Sequence, residues 1–174
     1  MVEMVVDSIR IDIHGTSRMV VLKEPDSDRI LPIIIGPAEA EAIAIRLQKA
    51  EVPRPLTHDL LANAIGALNG QVTHVLINDL LAETFYARIV LDVDGRHVEL
   101  DARSSDAIAL AVRAEVPIYV ADAVLERVGS DAREAENEEA DKEESQKTEQ
   151  DERLDVFRDF IEQLDIDDLG KSER

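Results

Sequence analysis

Apolar and polar residues alternate along the first part of the chain in the manner of half-buried β-strands. Four odd positions are apolar: Val5, Ile9, Ile11 and Ile13. Because successive side chains point to opposite faces of a strand, this period of two predicts a strand over residues 4–13 with its odd positions in the core. Apolar runs at 19–22 and 30–35 predict two more strands in a meander. Pro32 cannot donate to a ladder, so the third strand is expected at a sheet edge or paired on one side only.

Two helices follow, because apolar residues then recur every three or four positions. Gly36 and Pro37 begin the first helix, since proline suits the first helical position. Its apolar residues are Ala40, Ile43, Ala44 and Leu47. Thr57 is predicted to cap the second helix. That helix has one apolar stripe, which we expect to face the core: Leu60, Leu61, Ala64, Ile65 and Leu68.

A second group of strands is predicted after these helices. Residues 72–77 are apolar without clean alternation, whereas the run after Thr84 alternates clearly. Asp94 and Gly95 are a strong signal for a two-residue hairpin. A largely apolar third helix ends near Arg113, and a short strand and a short helix follow. These elements predict a mixed, mainly antiparallel sheet of two meanders with three main helices.

Composition divides the chain into three parts. Residues 1–128 supply the predicted folded domain. Residues 129–152 contain no aromatic residue, valine, isoleucine, leucine or methionine, which predicts a disordered acidic linker. Residues 153–174 predict an amphipathic helix, with Phe157, Ile161 and Leu164 on one side. A helix this short is marginal alone, so we expect it to pack on its own domain, another subunit or a protein partner.

The net charge of −19 comes from both parts of the chain. Residues 129–174 carry 18 acidic and 7 basic side chains, and residues 1–128 carry 20 and 12. An acidic body argues against sequence-independent binding to phosphate backbones, which depends on Lys and Arg. The chain has no cysteine, no apolar run near the roughly 20 residues that cross a bilayer, and no signal-peptide pattern. We therefore expect a soluble, cytoplasmic protein without a membrane partner.

Two polar clusters, each at a predicted helix start, carry the candidate chemistry. The first polar cluster is residues 54–59 and the second polar cluster is residues 101–106. Ser104 or Ser105 can cap the third helix, and Asp106 suits the positive end of the helix dipole. In the alternative interpretation, both clusters are only caps and ion pairs that join helix starts to the sheet.

If the two clusters converge, they form a site suited to phosphodiester cleavage. The candidate catalytic residues are His58, Asp59, Asp101 and Asp106. The candidate substrate-binding residues are Arg54, Arg103 and Ser105. His58 suits a general base or a metal ligand, and Asp101 with Asp106 suits Mg²⁺ or Mn²⁺ that activates water. This hypothesis requires His58 to lie within about 6–8 Å of Asp101 or Asp106, a gap that one ion and its waters can bridge.

Four segments resemble the bifunctional nuclease family, also called the domain of unknown function 151 family. They are residues 36–43, 54–61, 85–89 and 101–111, in the family's order. The last is the most specific, although Ser104 stands where relatives usually carry proline. Residues 156–161 also resemble a C-terminal element of some bacterial members. The resemblance implies an α+β domain, a homo-oligomer, and nuclease activity on DNA and RNA.

The sequence therefore leaves two functions open. The first is a metal-assisted nuclease, which the resemblance favours. The second is a non-enzymatic regulatory or assembly protein whose acidic tail recruits a partner, which the net charge favours.

Overall fold

The computed structural model describes residues 1–11 and 17–128. The chain separates into two units, Met1–Val128 and Gly129–Arg174. The predicted linker and the predicted C-terminal helix both lie outside the described residues, as does Ile13.

The described part contains seven strands and four helices. The strands are β1 (Val2–Ile11), β2 (Arg18–Lys23), β3 (Ile30–Ile35), β4 (Gly70–Leu81), β5 (Thr84–Val93), β6 (Arg96–Arg103) and β7 (Ile118–Val120). The helices are α1 (Pro37–Leu47), α2 (Thr57–Ala67), α3 (Ser104–Ala114) and the short α4 (122–128). None of these helices is long and apolar enough to span a membrane.

The strands form one sheet in the order β3-β2-β1-β7-β4-β5-β6. The meanders β1–β3 and β4–β6 are antiparallel, and β7 lies between them, antiparallel to β1 and parallel to β4. The prediction of an α+β fold with a mixed, mainly antiparallel sheet of two meanders is confirmed. Strand β3 is at a sheet edge, as Pro32 indicated.

The hairpin between β5 and β6 also follows the sequence prediction. Asp94 and Gly95 both have positive φ, at 52° and 77°. A type I′ turn requires positive φ at both central residues, and its twist matches that of the paired strands. This turn fixes the register of β6, whose last residue directly precedes α3.

Helix α3 lies at the centre of the core. Its residues from Ala107 to Ala111 are buried, and it contacts α1, α2 and the strands β4, β5 and β6. Since β6 ends at Arg103 and α3 begins at Ser104, no loop separates the sheet from the helix. The first turn of α3 is therefore held at a defined place beside α1 and α2.

The predicted burial of β1 is wrong for two of its residues. Val5 and Ile11 are exposed, and Met4 is buried instead. The register with β2 shifts between Val6 and Ser8, as at a β-bulge, and one inserted residue reverses the alternation of faces. Even positions therefore face the core before the shift and Ile9 faces it afterwards, whereas Ile11 is exposed as the last residue of the strand. Strand β4 has two such shifts, which explains why its sequence lacks a clean period of two.

The predicted core stripe of α2 is confirmed at Ile65 and wrong at its leucines. Leu60 and Leu68 expose 63% and 75% of their surface, whereas Ile65 is buried. The inward side of α2 is instead His58, Ala62 and Ile65, at the i, i+4, i+7 spacing of one helix face. Leu47 of α1 is likewise exposed. A histidine therefore begins the buried side of α2.

Alanine substitutions at Ile65 and at Leu68, the C-cap residue of α2, test this orientation. Ile65→Ala is expected to lower the free energy of unfolding by about 2–4 kcal/mol, because it leaves a cavity in the core. Leu68→Ala is expected to change it by less than about 0.5 kcal/mol, because the side chain is exposed. Urea denaturation measures both values, and equal losses would contradict the observed orientation.

Candidate active site

The two polar clusters meet at the first turns of α2 and α3. Nε2 of His58 lies 3.0 Å from Oδ1 of Asp106, although 48 positions separate the residues in the chain. His58 is only 8% exposed, so packing fixes its imidazole. The expected approach of His58 to the second polar cluster is thus confirmed for Asp106.

Arg103 binds the second oxygen of Asp106. Its Nε donates to Oδ2 of Asp106 at 2.7 Å, and its Nη2 donates to Oε1 of Glu39 at 2.8 Å. Glu39 lies in the first turn of α1, so the network joins three helix starts. The sequence patterns did not identify Glu39 as a candidate site residue. Nothing local in the sequence indicates that its partner is 64 positions away.

The network keeps Asp106 ionised. Burial raises the pKa of Asp106, but the hydrogen bonds from Arg103 and His58 outweigh burial and hold this pKa below its usual value. The hydrogen bond to Asp106 in turn raises the pKa of Arg103. An ionised carboxylate only accepts hydrogen bonds, so a neutral His58 carries its proton on Nε2. Its Nδ1 is then a proton acceptor, and it has no hydrogen-bond partner among the residues described.

His58 and Asp106 line a cleft of about 550 Å³ between α1 and the start of α2. Its charged lining consists of Glu39, Glu41, Arg103 and Asp106. Three carboxylates against one guanidinium make the cleft electronegative when His58 is neutral. We call this the dyad cleft.

Asp59 faces away from the dyad cleft and has a structural role. Its Oδ2 accepts the backbone N–H of Leu56 at 2.8 Å, and its Oδ1 accepts Nε of Arg113 at 2.6 Å. The residue that caps α2 is Leu56, so the predicted cap at Thr57 is wrong. Burial raises the pKa of Asp59, but the hydrogen bonds from Leu56 and Arg113 outweigh it and lower this pKa overall.

Arg113 is the principal structural residue that sequence reasoning missed. Its side chain is 5% exposed, and besides Asp59 it donates to the carbonyl oxygens of Ala109 and Ala42 at 2.8 and 3.0 Å. It therefore ties α1, α2 and α3 together. One sequence signal could have found it: Arg113 is an arginine in a largely apolar helix, and a buried charge requires partners.

Asp101 does not join the dyad. It is exposed on β6, opposite Arg88 of β5, and it makes no hydrogen bond or ion pair with the described part of the chain. Within residues 1–11 and 17–128, no three His, Asp or Glu side chains are grouped so as to hold a metal ion. Both oxygens of Asp106 already accept hydrogen bonds. The described residues therefore do not fit a resident Mg²⁺ or Mn²⁺ site.

The remaining predicted substrate-binding residues lie in different places. Arg103 lines the dyad cleft, whereas Arg54 is exposed and lines a neighbouring cleft. Ser105 is buried in the first turn of α3 and is not part of the lining of the dyad cleft. The N-cap of α3 is Arg103, without a side-chain cap, so the predicted cap at Ser104 or Ser105 is wrong.

Comparison with known proteins supplies the family. The sequence model of the bifunctional nuclease domain family matches residues 20–133 of this chain. This chain belongs to the bifunctional nuclease domain family.

Relatives of this bifunctional nuclease domain occur in bacteria and plants. A protein of Mycobacterium tuberculosis (strain H37Rv), described as uncharacterized, is 40% identical over 167 residues, which is 96% of this chain and 97% of that protein. Bifunctional nuclease 1 of Oryza sativa subsp. japonica is 32% identical over 105 residues, or 58% of this chain and 32% of the rice protein. Bifunctional nuclease 2 of Arabidopsis thaliana is 27% identical over 107 residues, or 60% of this chain and 32% of that protein. The likeness to the plant proteins thus covers about a third of their length.

The lowered pKa values predict the acid stability of this bifunctional nuclease domain. Asp59 and Asp106 both have pKa values below their usual range when folded. Their contribution to stability is therefore present above about pH 4 and is lost as the pH falls through the folded pKa values. We expect the free energy of unfolding, measured in urea, to fall below about pH 4, and to fall less steeply in Asp59→Asn. An equally steep fall in that variant would contradict the assignment.

Proposed function

We propose that the chain is a nuclease that hydrolyses phosphodiester bonds of DNA and RNA, with His58 as general base and Asp106 as the carboxylate that orients it. The observation that carries the proposal is the 3.0 Å contact between His58 and Asp106 in the lining of a cleft. Plant relatives named bifunctional nucleases support the activity.

Each group of the dyad has a defined role in the proposed reaction. Nδ1 of His58 accepts a proton from the attacking water, whose oxygen bonds to phosphorus as the P–O bond to the leaving oxygen breaks. The leaving oxygen keeps the electron pair of that bond and takes a proton from bulk water. The imidazolium that forms is stabilised by Asp106, which Arg103 keeps ionised. The nucleophile is water because DNA lacks the 2′-OH that RNA offers.

Arg103 is suited to bind the phosphate that is attacked. Its side chain is 69% exposed, and its bonds to Asp106 and Glu39 use Nε and Nη2. The N–H groups of Nη1 are thus available for a phosphate oxygen, and guanidinium groups bind phosphate with charge-assisted hydrogen bonds. Arg103 therefore both positions the carboxylate and contacts substrate.

A divalent cation enters the proposal only with the substrate. Mg²⁺ is commonly held by one or two carboxylates together with substrate phosphates, and the dyad cleft offers Glu39 and Glu41 as such carboxylates. Mg²⁺ or Mn²⁺ brought by the nucleic acid would offset the negative lining of the cleft. No step of the proposed reaction at His58 depends on it.

The experiment uses the full chain with labelled single-stranded DNA and RNA, in Mg²⁺, Mn²⁺ or EDTA. His58→Gln is compared with His97→Gln, a change to a histidine that is exposed on β6. We expect wild type and His97→Gln to cleave both substrates and His58→Gln to be at least about 100-fold slower. Cleavage that is unchanged in His58→Gln would contradict the proposal.

The second candidate is a non-enzymatic regulatory or assembly protein whose acidic tail recruits a partner. The electronegative dyad cleft favours it, because carboxylates repel phosphate. In that case the wild-type chain cleaves neither substrate with any cation, and His58→Gln changes only stability. The homo-oligomer, the cytoplasmic location and a partner for the C-terminal helix remain predictions.

A further inference from the structure

A second cleft, of about 800 Å³, adjoins the dyad cleft. Ile45 and Pro55 line both clefts, so they form the ridge between them. The walls of the second cleft come from the end of α1, the connection 48–56 and the end of α3. We call it the connection cleft.

The connection cleft contains basic groups without partners. Its basic side chains are Arg46, Lys49, Arg54 and Arg113, and its acidic side chains are Glu51, Asp59 and Glu115. Arg46 is paired with Glu115 at 2.8 Å and Arg113 with Asp59 at 2.6 Å. Lys49 and Arg54 form no ion pair with the described part of the chain. Glu51 is likewise unpaired, so the groups of this cleft that are free to meet an anion are two cations and one carboxylate.

The adjoining clefts have opposite electrostatic character. The dyad cleft is lined by three carboxylates and one arginine, whereas the connection cleft has four basic and three acidic side chains, an excess of one positive charge. Residues 1–128 as a whole carry 20 acidic and 12 basic side chains, so this local excess runs against the charge of the body. A polyanion that reaches His58 is repelled by the dyad cleft and attracted by the adjoining connection cleft.

The connection is also stiff. Pro53 and Pro55 flank Arg54 in the lining, and proline fixes its own φ and holds the preceding residue in an extended conformation. The backbone that presents Arg54 therefore loses little freedom when an anion binds.

We propose that the connection cleft is a phosphate-binding subsite, in which Lys49 and Arg54 hold the backbone of a single-stranded nucleic acid next to the bond that faces His58. This inference rests on the proposed nuclease function and extends it. A cleft of this volume matches small ligands rather than a duplex, so a single strand is the expected occupant. The anchored phosphate offsets the repulsion in the dyad cleft.

Binding without cleavage tests the subsite. The full chain is titrated in EDTA with a fluorescent oligothymidylate over a series of salt concentrations. The oligonucleotide has about 12 nucleotides, a length that covers one single-strand site. Lys49→Gln/Arg54→Gln is compared with Arg10→Gln/Arg96→Gln, which removes the same charge from exposed residues of β1 and β6. Because each phosphate contact contributes about 0.7 to the slope of log K against log salt, we expect the first variant to lose about 1.4 from this slope. The control should match wild type.

Cleavage kinetics separate the subsite from the proposed function. Lys49→Gln/Arg54→Gln should raise KM and leave kcat unchanged, because an anchor binds ground state and transition state alike. If wild type binds the oligonucleotide through Lys49 and Arg54 but cleaves nothing, the nuclease function fails and the subsite stands. If binding, salt slope and KM are the same in both double variants, the subsite is overturned while cleavage by the dyad is untouched.

Discussion

Asp106→Asn is expected to lower kcat for cleavage of single-stranded DNA and RNA by about 10²- to 10⁴-fold, the range of general acid–base catalysis. Asparagine keeps the shape of aspartate but carries no charge. It can neither stabilise the imidazolium of His58 nor retain the ion pair with Arg103, whose Nε lies 2.7 Å from Oδ2. KM should change less than kcat, because Arg103 still reaches the phosphate. Initial rates over a range of substrate concentrations measure both constants.

Asp101→Asn is the matched control for this prediction. It makes the same chemical change five positions earlier, on the exposed side of β6 opposite Arg88. Its activity is expected to stay close to wild type, because Asp101 does not contact the dyad. A loss as large as that of Asp106→Asn would instead return Asp101 to the site as a second carboxylate. Urea denaturation of both variants separates loss of activity from loss of fold.

Arg113→Met is expected to lower the free energy of unfolding by about 3 kcal/mol, the upper end of the range for leaving the hydrogen-bond partners of a buried group unsatisfied, because Arg113 is buried although Asp59 is only half-buried. Methionine keeps much of the apolar volume of the arginine stem. It leaves Asp59 without the guanidinium at 2.6 Å and the carbonyl oxygens of Ala42 and Ala109 without a donor. Urea denaturation at neutral pH, where Asp59 is ionised, measures the loss.

Two further variants make this stability prediction specific. Arg46→Met removes the exposed ion pair with Glu115 and should cost only about 0–1 kcal/mol. Arg113→Met/Asp59→Asn should recover part of the loss, because it removes the charge that is left unpaired. Equal losses in Arg46→Met and Arg113→Met would contradict the structural role of the buried arginine.

Local sequence signals predicted most of the fold. The period of two after Thr84, the hairpin at Asp94 and the proline at the start of α1 each act on neighbouring residues, and each is found in the structure. The misjudged faces depend on contacts distant in sequence. The register shift between Val6 and Ser8 changes which residues of β1 face the core. Helix α2 turns His58 rather than its leucines toward the core. The placement of β7 between the two meanders is likewise a non-local outcome.

The candidate site was predicted in part for the same reason. His58, Arg103 and Asp106 were identified because polar residues at helix starts are a local pattern. Glu39 and Arg113 were missed, because their significance lies in partners 64 and 54 positions away. Asp101 was grouped with Asp106 by proximity in sequence, yet the change from strand to helix after Arg103 leaves it on the sheet.

The most direct test of the central claim compares His58→Gln, Asp106→Asn and the double variant in single-turnover cleavage of one labelled oligonucleotide. When two residues act as a unit, removing either one already abolishes their joint contribution to the rate, so removing the second costs little more. The double variant is therefore predicted to cleave no more slowly than the slower single variant. If the two losses multiply in the double variant, His58 and Asp106 act independently, and the pair joined at 3.0 Å is not the reacting centre.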